Sequence, residues 1–197
     1  MFCLHGLLFI LSSWTCVFIC HLNKEKLNQL IIPIVLVLIS CSYLTFNIDV
    51  INVNFSFLVL IVLISYFLSL LNKSVQIILF IKGLIIGMVY SSMSIIVIYD
   101  PASFFINIFL STSLLAIVLA LFLSKNFEEQ IKLILIGLIQ GEIFNFFTFR
   151  SIKVDYVIGD INWLAILFTT ILLLIFVKSL SLRFAKRFVK GRKLINN

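Results

Sequence analysis

The sequence predicts an all-α fold: a polytopic transmembrane helical bundle of about seven spans, N-terminus outside and C-terminus inside. Three observations lead there. Of 197 residues, 62% are hydrophobic and 12% charged, with a mean hydropathy of +1.24. Soluble domains run at about 45–50% apolar and about 25% charged. The apolar residues gather in runs close to the roughly 20 residues a helix needs to cross a hydrocarbon core. The basic residues between those runs fall almost wholly on alternate joints.

The runs lie at about 2–21, 30–46, 53–71, 76–98, 103–123, 132–149 and 156–177, and a basic tail occupies 178–197. The joints "HLNKEKLNQ", "NIDVIN", "LNKS", "YDPAS", "SKNFEEQ" and "RSIKVD" are polar or carry breakers. Joints this short make neighbouring helices antiparallel hairpins. The first run has no basic residue before it, and Lys24 and Lys26 follow it. That order favours a retained helix with its N-terminus outside over a cleaved signal. Seven crossings then place Lys24, Lys26, Lys73, Lys125, Lys132 and the seven basic residues of the tail inside. Arg150 and Lys153 are left outside, and Lys82 lies within a span. This positive-inside bias sets the orientation and makes the plasma membrane the expected location.

The net charge of +7 belongs to the tail, because the eight basic and eight acidic residues before Lys178 cancel. Within the tail, Arg183, Lys186, Arg187 and Lys190 fall at i, i+3, i+4 and i+7, and Leu180, Phe184 and Phe188 recur every fourth residue. This predicts a basic amphipathic segment on the anionic inner leaflet, each cation contributing about 1 kcal/mol. The partners implied are the bilayer, anionic lipids, and a second copy or another membrane protein. Nothing points to nucleic acid.

Two segments match without gaps. "QIILFIKGLIIG" (76–87) and "QIKLILIGLIQG" (130–141) share seven of twelve positions. Each opens a span from the predicted inner side, so a parallel repeat of two hairpins is one reading. Chance similarity between Ile/Leu-rich segments is the other. Both contain GxxxG, with Gly83 and Gly87 in the first and Gly137 and Gly141 in the second. Glycines so spaced share a helix face and let another backbone approach closely, so these two helices, or two subunits, are expected to pack there.

Glu142 is the group that most needs explaining. It lies ten residues beyond Lys132, about 15 Å into its span. A charge at that depth costs about 2.5–3.5 kcal/mol on insertion scales and must face protein or water. Lys82 is the candidate partner. It lies nine residues beyond Lys73, about 13 Å in. The repeat alignment instead sets Lys82 level with Ile136, short of Glu142. Asn145, one turn on, is a second candidate partner. A structural buried group is the plainest expectation. A small secondary transporter is the alternative, with Glu142, Lys82 and Asp160 forming the polar site and Gln140 and Asn162 extending it.

An enzyme is not expected. "IYDP" (98–101) and "VIGD" (157–160) resemble motifs of intramembrane aspartyl proteases, in which paired carboxylates activate water. Val157 stands where that pattern has glycine, and Asp100 precedes a proline in a joint. Cys3, Cys16, Cys20 and Cys41 lie in apolar runs without ligand spacing, and His5 and His21 stand at opposite ends of one run, so neither metal nor cofactor is expected.

The opening "LLFILSSWTCVFIC", its following "NKEK", and the late "GEIFNFFTFRSIKVDYVIGDINWLAIL" resemble the YphA-like integral membrane proteins of bacilli. The resemblance rests on a tryptophan in the first span, a Gly-Glu late within a span and an Ile-Gly before the last. It implies a multi-pass protein of a sporulating, low-GC Gram-positive bacterium, some relatives being associated with spore envelope formation. It places Gly141, Glu142, Gly159 and Asp160 at recognisable positions and assigns none of them a role.

Overall fold

The computed structural model describes residues 13–15, 26–48, 51–100, 108–152 and 156–195. Six helices and a small sheet follow one another: α1 (Lys26–Cys41), β1 (Thr45–Ile48), β2 (Ile51–Asn54), α2 (Phe55–Ser69), α3 (Lys73–Tyr99), α4 (Ile108–Leu123), α5 (Phe127–Ser151), β3 (Val157–Ile158) and α6 (Ile161–Ile195). Apart from a helical stretch at Ser13–Thr15, the predicted first span lies outside the described residues.

Among the described residues, three helices are long and apolar enough to cross a bilayer: Lys73–Tyr99, Phe127–Ser151 and Ile161–Ser181. Phe55–Ser69 and Phe109–Leu123 are shorter and also apolar. Large apolar side chains cover the outside of the bundle, among them Val62, Phe80, Met88, Val118, Phe147 and Phe176. Soluble monomers rarely expose such continuous apolar surface, and here hydrocarbon is the matching solvent.

The spacing of polar residues decides where helices begin. Asn54 caps α2 by accepting from the Ser56 N–H at 2.9 Å, and its amide donates to the Ser42 carbonyl at 2.6 Å, tying the start of α2 to the end of α1. Asn126 accepts from the Glu128 N–H at 3.3 Å, and Glu128 and Glu129 occupy the first turn of α5, where negative charge is favoured. The Gln76 amide donates to the carbonyls of Leu68 and Leu71 at 2.7 and 2.8 Å, closing the end of α2 from the first turn of α3.

The fold is mostly helical, and the all-α expectation is corrected at one place. The joint around "NIDVIN" is a β-hairpin, β1 pairing antiparallel with β2, and β3 adds parallel to β2 with Asn52 opposite Val157 and Val53 opposite Ile158. The run expected to span 30–46 therefore stops being helical at Cys41. Thr, Phe, Val and Ile alternating with Asn suit an extended strand. The last span likewise begins at Ile161, because Val157 and Ile158 are strand and Gly159 turns the chain at φ +70°. The sheet binds the α1–α2 joint to the α5–α6 joint. Helix α6 continues without a break to Ile195, through the predicted tail. The side chains of Arg183, Lys186, Arg187 and Lys190 lie outside the described residues.

Among the described elements, the α3–α5 pair has the most extensive interface. Gly83 and Gly87 face Gly137 and Gly141 with the register of the gapless sequence match. A methyl group on Gly87 would stand 2.8 Å from the Gly137 carbonyl oxygen, and one on Gly141 2.8 Å from the Gly87 carbonyl oxygen. Contacts advance together along both helices, so α3 and α5 run in the same direction. Helices α4 and α6 also pack together, where the Ser113 and Thr169 hydroxyls meet at 3.1 Å. Corresponding helices of the two matching hairpins are thus each other's neighbours.

Gly87→Ala and Gly141→Ala place a methyl group against backbone that cannot move aside. Each is expected to destabilise the bundle by about 1–3 kcal/mol, read as a lowered melting temperature in detergent. Gly83→Ala meets the Ile136 side chain instead, which can turn away, and should cost less.

Candidate functional site

Glu142 is fully enclosed, on the α5 face that meets α3 and the α5–α6 joint. Its Oε1 accepts from the Gly159 backbone N–H at 2.8 Å, and its Oε2 from the Tyr90 hydroxyl at 3.1 Å. The Tyr156 hydroxyl is a further hydrogen-bonding neighbour. One carboxyl group therefore takes partners from α3, from α5's own joint and from the turn before α6. Burial, and after it the Glu142 carboxyl, push the Tyr156 phenol well above its ordinary value, which keeps its hydroxyl a donor.

The local backbone makes this possible. Glycine adopts positive φ without a Cβ penalty, so Gly159 can turn its N–H toward Glu142. A Cβ there would also collide with the Cβ of Phe57. Pairing of β3 with β2 holds the turn in place. Below it, Trp163 is almost wholly buried, donates from Nε1 to the Leu138 carbonyl at 3.2 Å, and packs edge-on against Phe57 with centroids 5.2 Å apart.

The other polar residues singled out by the sequence divide into separate places. Asn145 joins the Glu142 network, donating to the Ser94 hydroxyl at 3.1 Å and neighbouring Tyr156. Gln140 faces α3 lower down, its amide donating to the Phe80 carbonyl at 3.3 Å. Asp160 caps α6: Oδ1 accepts from the Trp163 N–H at 2.8 Å and Oδ2 from the Asn162 amide at 2.6 Å.

Lys82 does not pair with Glu142. Its ammonium lies 2.9 Å from Glu129 Oε1, and the Ser124 hydroxyl donates to Oε2 of the same carboxylate at 2.8 Å. The matching glycines set Lys82 level with Ile136, and helical side chains lean toward the N-terminal end of their helix. A lysine stem so placed reaches back toward the interface and not up toward Glu142. Lys82 therefore stands apart from Glu142, whereas Asp160 directly follows Gly159 and is an electrostatic neighbour of the Glu142 carboxyl while capping α6.

A partly open cavity of about 270 Å³ lies between α2 and the α3–α5 pair. Apart from Ser65 and Gln140 its wall is apolar, and Glu142 is not part of it. Among the described residues no group of three or more His, Cys, Asp or Glu is placed to hold a metal ion.

The family model of YphA-like integral membrane proteins matches residues 5–193. The chain belongs to that family. No curated protein and no solved structure matches it. Family membership confirms the resemblance read from the two ends of the sequence and makes this an integral membrane protein.

Tyr90, Ser94, Tyr156 and Trp163 were not singled out by sequence reasoning. A signal existed for the first two: "YSSMS" (90–94) is the most polar stretch inside α3. Nothing in the sequence pairs it with Glu142.

Glu142→Leu leaves the buried Gly159 and Tyr90 donors without an acceptor, at about 1–3 kcal/mol for each orphaned group. Glu142→Gln keeps an acceptor for Gly159 and should cost distinctly less, both values being read from unfolding in mixed micelles. Gly159→Ala adds backbone strain of about 1–2 kcal/mol to the clash with Phe57. It should be at least as damaging as Glu142→Leu in the same assay.

Proposed function

We propose that this integral membrane protein is a non-enzymatic component of the plasma membrane that supports envelope or spore assembly, and that Glu142 is a structural latch within it. The observation that carries the latch is the carboxyl group itself, held by donors from separate segments and enclosed by side chains. A coupling site in a transporter needs exchange with water or ion. The enclosed carboxyl, with Lys82 paired to Glu129 and Asp160 engaged as the cap of α6, supports the structural reading over the transport one. The envelope or spore role rests on the family resemblance.

The reading includes seven crossings with the C-terminus inside. Helices α3 and α5 running in the same direction, with α4 between them, support alternate crossings. These put Lys73, Lys125 and Lys132 on one side of the membrane and Arg150 on the other. The basic tail on the continuation of α6 then meets the anionic leaflet on the lysine side. Helices α2 and α4, with 15 and 16 residues, are about 22–24 Å long. That is short of the roughly 30 Å hydrocarbon core, so adjoining segments such as β2 would complete the crossings.

Replacing the chromosomal gene by a Glu142→Gln allele in a spore-forming host tests the role. The expected outcome is an envelope or spore defect that tracks protein abundance and is restored when the variant is expressed to wild-type level. A variant of full abundance that loses proton-coupled uptake would establish the transport reading. Reporter fusions after residue 197 should show the C-terminus to be cytoplasmic.

A further inference from the structure

We propose that the cavity between α2 and the α3–α5 pair is a binding site for an anionic phospholipid, one acyl chain lying in the cavity and the phosphate at Lys73. The cavity is open to the membrane: Phe80 in its wall is 54% exposed, and Ile143 is also exposed. Ile61, Ile64 and Leu68 of α2 form one side, and Phe80 and Leu84 contribute from α3. Of its two polar residues, Gln140 is turned back to the Phe80 carbonyl at 3.3 Å, which leaves a surface suited to a hydrocarbon chain.

The choice of an anionic headgroup comes from the helix period. Lys73, Gln76, Phe80 and Leu84 follow one another at i+3, i+4 and i+4, so they form one stripe of α3. Phe80 and Leu84 line the cavity, and Gln76 holds the end of α2 beside Leu68. Lys73 lies on the same stripe seven residues below Phe80, about 10 Å along the axis. It is exposed, and no carboxylate pairs with it among the described residues. Asn72 makes no side-chain capping bond, so the first-turn N–H groups of α3 face the same end. An apolar slot with an exposed cation on the same helix stripe, about 10 Å below its Phe80 wall, has the polarity of a phospholipid with its headgroup at that interface. A second helix filling the slot would have no use for the cation.

Native mass spectrometry of the full chain, purified in mild detergent and offered phosphatidylglycerol or phosphatidylcholine of identical chains, tests this. The wild type should retain one phosphatidylglycerol in preference to phosphatidylcholine. Lys73→Ala should lower retention about fivefold, and Ile64→Trp, which fills the slot, should lower it at least tenfold. Melting temperatures without lipid verify that both variants fold, and Lys73→Ala, at an exposed position, keeps the test decisive if Ile64→Trp does not. Equal retention of the two lipids, or retention unchanged by Lys73→Ala, overturns the proposal. So does an Ile64→Trp variant that changes oligomeric state and leaves lipid retention intact, since a second copy would then occupy the slot.

Discussion

A carboxyl group inside a bilayer must find its hydrogen-bond partners in the protein, and the rest of this fold is arranged around how Glu142 finds them. Its donors sit far apart in the chain, at Tyr90 and Gly159. Each can reach the carboxyl only if a separate packing problem has been solved. Tyr90 arrives because α3 and α5 approach closely through glycines at 83, 87, 137 and 141. Gly159 arrives because a strand outside the helices pins the α5–α6 joint to the α1–α2 hairpin. The polar network does not create these contacts, but it distinguishes this arrangement from others in which apolar helices pack about as well. Between lipid-solvated helices, apolar contact alone is a weak discriminator.

Lys82 and Glu142, the basic and acidic residues farthest from the ends of α3 and α5, show two physical answers to the same cost. Lys82 has a long flexible stem and lies within reach of the interface, so it escapes toward Glu129 and remains partly exposed. Glu142 has a short stem and lies deeper, so escape is closed to it and fixed donors are required. Insertion cost therefore falls unequally on residues that hydropathy treats alike, according to stem length and depth.

Much of this was legible in the sequence, and the limits have physical causes. Helix identity follows from apolar runs, because in hydrocarbon each helix must satisfy its own backbone. The α3–α5 register was present in the matching segments, since both glycine pairs had to fall at the same depth to face one another. The same register already argued against pairing Lys82 with Glu142. The sheet was hidden because a joint of "NIDVIN" reads as polar loop. β1 and β2 pair with each other, but β2 also pairs with Val157 and Ile158, about a hundred residues away in the chain, and no local period records that. The capping role of Asp160 was hidden for a related reason. An aspartate before "INW" can be a membrane-buried acid or a helix cap, and only the position of the turn at Gly159 makes it the cap. Tyr156 and Trp163 lie beside the recognisable Gly-Glu and Ile-Gly positions, but their partners are on other elements.

Glycine serves opposite purposes at the two ends of the Glu142 network, and this bears on why the site is compact. At Gly87 and Gly141 it is the missing side chain that matters, since it brings two helix backbones together. At Gly159 it is also the accessible backbone conformation, since the turn at positive φ directs an N–H inward. The first brings the Tyr90 hydroxyl of α3 within reach of the carboxyl, and the second brings a main-chain N–H to it. The result is a buried carboxyl group served by one backbone N–H and by tyrosine hydroxyls held among packed elements. A site meant to take up and release protons or ions would gain from a mobile partner and an aqueous approach. One backbone donor, enclosed tyrosine hydroxyls, a capped neighbouring helix and an apolar cavity that bypasses the carboxyl support the proposed structural latch.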